Sequence, residues 1–197
     1  MNIPTLNICW AAQAALYHFY GIDKRPLSHK CFGIFAQRNL APQHPLLCGL
    51  GETFPMPHSR HTEVYLGDTD TESTLQGGDT QFLPEELEVL ADSEVGQSIF
   101  SDASRHQTFV TGHLEYKADT LDGEYRRDQA KGLPIAPPLH YYVEDNPEKG
   151  IDFSWQQTAL LFYRNWVVTH LGSSTSKDFP YSGANQRVAF GKARKNE

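Results

Sequence analysis

The chain has 197 residues, 39% of them hydrophobic, and a net charge of −7. This length suffices for one α/β domain with its own core. An acidic chain without a basic stripe argues against binding to nucleic acid or to an anionic membrane. Because no apolar run reaches the roughly 20 residues that span a bilayer and no signal-peptide pattern opens the chain, we expect a cytoplasmic protein. Three cysteines without C-x-x-C spacing favour neither a disulfide framework nor a structural zinc site.

The first predicted elements are a strand over Thr5–Ile8 and a helix over Trp10–Tyr20, separated only by Cys9. The helical segment is rich in good helix formers, and Gly21 stands where a C-terminal cap is expected. The pattern therefore predicts a strand, a sharp turn and a helix, with a thiol at the turn.

The middle of the chain alternates apolar and polar stretches. We predict a buried strand at 31–35, a Pro- and Gly-rich loop at 41–59, a strand at 62–66, a polar surface insertion at 69–79 and a short helix at 84–90.

The second half of the chain predicts paired strands and two helices. We expect strands at 97–100 and 108–111 around a polar turn, a helix at 119–131 that ends at Gly132, and a helix at 154–170 that begins with a capping box of Ser154 and Gln157. This alternation predicts an α/β fold with a mostly parallel sheet. We expect one domain over residues 1–172 and a polar tail over 173–197 whose order the sequence leaves open.

Cys9 is the first candidate for chemistry. The positive end of a helix favours a thiolate, which is the nucleophilic form of cysteine. The backbone N–H of Trp10 would face an oxyanion formed at a bound carbonyl. The small Ala11 allows a tight turn. The alternative interpretation is that Cys9 is a small hydrophobic residue in the core.

His113 and Glu115 form a second candidate pair. Residues i and i+2 at a strand end point to the same side, so Glu115 can orient the imidazole of His113. Gly112 permits a close backbone approach. H-x-E also opens the zinc-deaminase signature, but the P-C-x-x-C that completes it is absent. The alternative is an ordinary histidine at a strand end.

Glu124 and Arg127 lie three residues apart in a predicted helix and therefore share a face. They could hold an amino acid, with Glu124 on the amino group and Arg127 on the carboxylate. The alternative is a solvated ion pair that contributes little. The polar run at 57–63 is either a ligand-facing edge or a solvated loop, and the residues alone favour the loop.

Six blocks of sequence, taken together, carry a resemblance to a known family. They are, in chain order, ICWAAQAALYHFYGI (8–22), KCFGIF (30–35), PHSRHTEV (57–64), FVTGHLEY (109–116), EYRRD (124–128) and the segment 155–166. Each block alone is unspecific, but in this order they resemble the homoserine O-acyltransferases, also called homoserine transsuccinylases. The similarity covers residue 6 to about residue 170.

The resemblance implies a flavodoxin-like fold, the three-layer α/β sandwich of class I glutamine amidotransferases. It implies transfer of an acetyl or succinyl group from acyl-CoA to the hydroxyl of homoserine, a step toward methionine. The mechanism would be ping-pong, through an acyl-enzyme. The partners would be these small molecules, with no metal and no tightly bound cofactor.

Position by position, the resemblance also implies roles for individual residues. Cys9 is the acyl-accepting nucleophile, His113 the general acid and base, and Glu115 the partner of His113. The substrate-binding positions are Lys30 and Ser59, which line the acyl or substrate site, and Glu124 and Arg127, which hold homoserine.

The chain departs from the family pattern in three respects. The family has an N-terminal portion before the strand that leads to the nucleophile, which supplies early strands, completes the oxyanion hole and helps to choose the acyl group. We therefore expect this chain to be the C-terminal portion of such an enzyme, without its N-terminal strands. Ala11 replaces a usual glycine, and the stretch 69–79 is longer than in the family.

Several alternatives stay open at this point. The chain could be a serine O-acetyltransferase of the same family (cysteine biosynthesis), a hydrolase or amidotransferase on the same fold, or an inactive truncated fragment. The acyl donor is undetermined. So is the oligomeric state, with a homodimer as one alternative.

Overall fold

The structure is a computed structural model that describes residues 3–64, 66 and 83–172. Within these residues it contains six strands: β1 (Thr5–Ile8), β2 (Lys24–Asn39), β3 (Thr53–Val64), β4 (Glu88–Ser93), β5 (Gly96–Asp102) and β6 (Gln107–Val110). The helices are α1 (Trp10–Tyr20), α2 (Thr120–Ala130) and α3 (Gln156–Leu171), with two short 3₁₀ helices at Val143–Asp145 and Pro147–Lys149. The predicted insertion at 69–79 and the tail at 173–197 lie outside the described residues.

The described strands form one sheet in the order β1-β6-β5-β4-β2-β3. β1 pairs with β6 in parallel, and the other four pairs are antiparallel. The prediction of a mostly parallel sheet is therefore wrong. The physical reason is that, within the described residues, no helix lies between consecutive strands from β2 to β6, so these strands pair antiparallel instead of through helical crossovers.

Two segments form strands where other structures were predicted. Residues 84–90 do not form a helix, because a turn precedes β4, whose Leu90 and Ala91 are fully buried between neighbouring strands. Residues 53–59 belong to β3, although the surrounding Pro and Gly residues predicted a loop. Pro55 and Pro57 are tolerated there because β3 lies at the edge of the sheet, where a strand can lack N–H donors on one side.

The other elements follow the predictions more closely. The bounds of α1 are as predicted, and Gly21 caps it in the left-handed conformation with its N–H donating to the carbonyl of Tyr17 at 2.8 Å. The strand pair β5–β6 and helix α2 are confirmed within a few residues. The strand predicted at 62–66 ends at Val64. The predicted capping box is wrong, because α3 begins after Trp155 without a side-chain cap.

Helices α1 and α3 cover opposite faces of the sheet. Successive residues of β6 show this, because Phe109 packs in the cluster of α1 and Val110 in the cluster of α3. The same alternation holds for Phe100 and Ile99 in β5. The arrangement is the expected three-layer sandwich. A third cluster packs α2 and Trp155 against β2. No helix in the described ranges is long and apolar enough to cross a membrane.

Candidate active site

Cys9 occupies a strained turn between β1 and α1. Its φ is 51° and its ψ is −113°, a conformation that costs a non-glycine residue about 1–3 kcal/mol. The backbone holds it from both sides: its N–H donates to the carbonyl of Val110 at 2.7 Å, and its carbonyl accepts from the N–H of Gln13 at 3.1 Å. The residue is partly exposed, not buried. Strain combined with access is typical of a nucleophile at a strand-to-helix turn.

The parallel pairing of β1 with β6 brings His113 to Cys9. Ile8 is aligned with Val110, so both strands end at the same edge of the sheet. Gly112 then lets the chain pass close to β3, because a Cβ there would lie 2.8 Å from the carbonyl oxygen of Pro57. The N–H of His113 donates to that same oxygen at 2.8 Å. The close approach expected at Gly112 is therefore confirmed.

His113 pairs with Glu115 and lies near Cys9. Its Nδ1 lies 2.6 Å from Oε1 of Glu115, and its imidazole is close enough to the thiol group of Cys9 for that group to affect its pKa. Burial lowers the pKa of His113, but the hydrogen bonds and charges of Cys9 and Glu115 outweigh it and raise the pKa to about 9. A protonated imidazole beside a cysteine sulfur favours nucleophilic attack and supplies a proton for a leaving group.

Trp10 begins α1 directly after Cys9. Its backbone N–H stands at the first helical position, where the helix itself provides no acceptor. This N–H can therefore stabilise an oxyanion next to the sulfur, as the sequence predicts.

A second cluster forms around the carboxylate of Glu124 on α2. Its Oε2 accepts from Oγ of Ser59 at 2.6 Å and from Nζ of Lys30 at 3.1 Å, while its Oε1 accepts from the hydroxyl of Tyr116 at 3.0 Å. Burial raises the pKa of Glu124, but the hydrogen bonds of Ser59 and Lys30 hold it below its usual value. The carboxylate is thus ionised and faces inward, where it can bind a cation. Three predicted substrate-binding residues meet here.

Arg127 lies apart from this cluster. Its Nε donates to Oδ1 of Asp128 at 2.7 Å, and its side chain is 54% exposed. Arg127 lies one helical turn from Glu124, but its guanidinium is paired with Asp128 in this structure; the hydrogen bond to Asp128 raises the pKa of Arg127, and the charge of Glu124 contributes to this shift.

Two residues that the sequence analysis did not single out belong to the site. The ring of Tyr116 stacks on that of His113, with centroids 4.0 Å apart and an angle of 17° between the planes. His58 is fully buried in β3 beside Arg60, and burial, Arg60 and His113 together lower its pKa well below 6.5. His58 was missed because its segment was interpreted as a loop. Tyr116 directly follows Glu115 in sequence, but its stacking on His113 depends on how the chain turns after β6.

A cleft of about 620 Å³ adjoins the Glu124 cluster, with Lys30 and Asp128 in its wall. Its other walls are largely apolar and include Phe32, Ile135 and Leu139. This volume lies in the range of ligand pockets and exceeds what a small amino acid fills. Among the described residues no group of three or more His, Cys, Asp or Glu could hold a metal ion.

Known proteins resemble this chain in sequence over most of its length. The family model for homoserine O-succinyltransferase matches residues 2–176. A homoserine O-acetyltransferase of Bacteroides fragilis is 47% identical over 165 residues, which cover 83% of this chain and 50% of that protein. The enzyme of the same name from Desulfovibrio desulfuricans is 45% identical over 188 residues, 95% of this chain and 56% of its own length. The chain thus spans about half the length of the curated relatives it matches.

Solved structures resemble the fold at low sequence identity. A glutamine amidotransferase from Thermotoga maritima superposes with a TM-score of 0.55 and 16% identity, covering 85% of this chain and 62% of that one. A second glutamine amidotransferase, from Methylobacillus flagellatus, superposes with a TM-score of 0.54 and 12% identity, covering 90% of this chain and 68% of that one. The fold is therefore that of the class I glutamine amidotransferases. On the sequence similarity, the chain belongs to the homoserine O-succinyltransferase family.

Proposed function

We propose that this protein moves an acetyl or succinyl group from acyl-CoA to the hydroxyl of L-homoserine, through an acyl-enzyme on Cys9. The proposal rests on one arrangement of side chains. The strained Cys9 lies beside His113, which pairs with Glu115, and the inward-facing carboxylate of Glu124 lies next to them. Relatives named homoserine O-acetyltransferase make acetyl-CoA the first donor to test. In this proposal, acyl transfer to homoserine would be a step in methionine biosynthesis.

The first half-reaction acylates Cys9. The thiolate attacks the thioester carbonyl, and the N–H of Trp10 stabilises the resulting oxyanion. As the tetrahedral intermediate collapses, the bond between the carbonyl carbon and the CoA sulfur breaks, and His113 gives its proton to that sulfur. CoA leaves as a thiol, Cys9 carries the acyl group, and His113 is neutral.

The second half-reaction uses the altered state of His113. The contacts that raise its pKa include the hydrogen bond and charge of Cys9, which acylation removes. A neutral His113 then takes the proton from the hydroxyl of the acceptor as its oxygen attacks the acyl-enzyme. The thiolate of Cys9 leaves, the ester is released, and the protonated His113 is restored.

The Glu124 cluster supports the choice of an amino acid as acceptor. Its ionised carboxylate would bind the ammonium group of homoserine, and Lys30 and Ser59 beside it would bind other polar groups of the substrate. Arg127 would release Asp128 and bind the substrate carboxylate in its place. Acyl-CoA acts as a co-substrate in this scheme, and the reaction needs no metal or tightly bound cofactor.

The test is intact-protein mass spectrometry after incubation with acetyl-CoA or succinyl-CoA. We expect a single acyl adduct, located on Cys9 by peptide mapping. Cys9→Ala should form none, whereas Cys48→Ala, which removes an exposed cysteine outside the site, should form it normally. Absence of an adduct with both donors would overturn the proposed activity.

Competition between acceptors then tests the substrate. The acylated enzyme is offered homoserine and serine together, and the ester products are quantified. The two differ by one methylene, which is worth about 1–3 kcal/mol of discrimination, so we expect homoserine to win by roughly 10-fold or more. A preference for serine would assign the protein to the serine branch of the same chemistry.

A further inference from the structure

Tyr116 connects the two clusters of the site. Its ring lies against the imidazole of His113, and its hydroxyl donates to Oε1 of Glu124 at 3.0 Å. Its backbone is also fixed, because its N–H donates to the carbonyl of His113 at 3.3 Å and its carbonyl accepts from Nε1 of the buried Trp155 at 3.1 Å. The side chain is thus placed by the fold before any substrate arrives.

The stacked ring of Tyr116 stabilises the orientation and charge of His113 beyond what the hydrogen bond to Glu115 alone provides. The carboxylate of Glu115 is 40% exposed, so water competes for its hydrogen bond to His113. An aromatic face against the imidazole restricts rotation of the ring, and it also favours the protonated form through a cation–π interaction. The other ionisable groups that face His113 are Cys9 before α1 and His58 in β3.

The hydroxyl of Tyr116 sets the direction of the Glu124 carboxylate. Oε2 already receives two donors, from Ser59 and Lys30, whereas Oε1 receives only Tyr116 among the described residues. Oε1 is therefore the oxygen with more remaining capacity to accept a hydrogen bond from a substrate ammonium. Burial and the charge of Glu124 raise the pKa of Tyr116, which keeps its hydroxyl protonated as a donor.

We propose that Tyr116 is a positioning residue with two separable tasks: its ring holds His113 toward Cys9, and its hydroxyl orients Glu124 toward the acceptor. The second task rests on the function proposed above. Because acylation and acceptor binding belong to different half-reactions, the two tasks predict different defects when they are removed one at a time.

Two substitutions separate the tasks. Tyr116→Phe removes the hydroxyl and keeps the ring, so acyl-enzyme formation should match the wild type while the KM for homoserine rises roughly 10-fold. Tyr116→Met keeps apolar bulk and removes the aromatic face. It should slow acylation of Cys9 about 10-fold and lower the pKa of His113 by about half a unit or more.

The pKa of His113 is measured by NMR titration of its imidazole, assigned with His113→Gln, and this readout requires no substrate. Tyr142→Phe is the matched control, because the hydroxyl of Tyr142 also donates to a carboxylate, that of Asp122 at 2.6 Å, outside the site. This control should change neither the pKa of His113 nor the KM for homoserine.

The outcomes decide each task separately. A Tyr116→Met protein that retains the pKa of His113 and the acylation rate of the wild type overturns the ring's task. An unchanged KM in Tyr116→Phe overturns the hydroxyl's task, as would an equal rise in Tyr142→Phe. If the wild type takes no acyl group from either donor, the proposed function fails, and the titration still decides whether the ring acts on His113.

Discussion

The two halves of the site are built differently. The proposed nucleophile half, Cys9 with His113 and Glu115, is positioned by the backbone: β1 pairs in parallel with β6, and main-chain hydrogen bonds fix both Cys9 and His113. The proposed acceptor half gathers Lys30 from β2, Ser59 from the paired strand β3 and Glu124 from α2, and side-chain contacts join the helix residue to the two strand residues.

If the proposed roles hold, this difference separates the residues that perform acyl transfer from those that select the acceptor. Backbone pairing tolerates most side-chain substitutions, so the geometry that brings sulfur and imidazole together is part of the fold itself. A cluster held by side chains changes with each residue in it. We therefore expect substitutions in the nucleophile half to reduce the rate of every acyl transfer and those in the acceptor half to change which acceptor is used.

The largest expected effect follows from His113→Asn. Loss of the general acid and base should lower both half-reactions by about 10²–10⁴-fold, measured as acyl-enzyme formation and as its decay with homoserine. The exposed His18 on α1 provides the control, and His18→Asn should keep wild-type rates. If only the decay with homoserine slowed, His113 would belong to the acceptor half and the comparison would fail.

The charge of His113 should also make stability depend on pH. Its folded pKa of about 9 lies above the ordinary value of 6.5, so its contribution is complete below about pH 6.5 and is lost as the pH rises through 9. Relative to His113→Gln, the wild type should lose up to about 3 kcal/mol of unfolding free energy over this range. Urea denaturation at several pH values measures it, and a constant difference would contradict the raised pKa.

Glu124→Gln tests the acceptor half alone. Replacing a charged acceptor by a neutral one should lower kcat/KM for homoserine by about 10–100-fold, because the charge-assisted contact to the ammonium is lost. The rate of Cys9 acylation should not change. Asp122→Asn removes another carboxylate of α2, one held by Arg126 and Tyr142, and should leave both values at the wild-type level. Slower acylation in Glu124→Gln would show that the halves are coupled.

The smallest effect concerns the backbone that supports the nucleophile half. Gly112→Ala places a Cβ 2.8 Å from the carbonyl oxygen of Pro57 and 2.9 Å from the side chain of Met56, which should cost about 1–3 kcal/mol of unfolding free energy. In contrast, Gly123→Ala meets nothing within 4 Å inside α2 and should stabilise the protein by about 0.5–1 kcal/mol. Equal effects of the two substitutions would argue against the close approach at Gly112.

The sequence by itself determined the elements whose signals are local. Cys9 between Ile8 and α1, the helix cap at Gly21 and the H-x-E pair at His113 each depend on neighbours within a few residues, and the structure contains them as predicted. The resemblance added Lys30 and Ser59, which no local pattern indicated, and these residues do meet Glu124.

Only the tertiary structure decided the direction of the strands and the surroundings of the site. The β4 segment was predicted as a helix, and β3 was interpreted in part as a loop, because burial between neighbouring strands outweighs local propensity and an edge strand accepts proline. The placement of Tyr116 likewise depends on a contact with a residue far away in sequence, because its carbonyl accepts from Nε1 of Trp155. Local patterns thus identified the proposed nucleophile, whereas long-range packing decided what surrounds it.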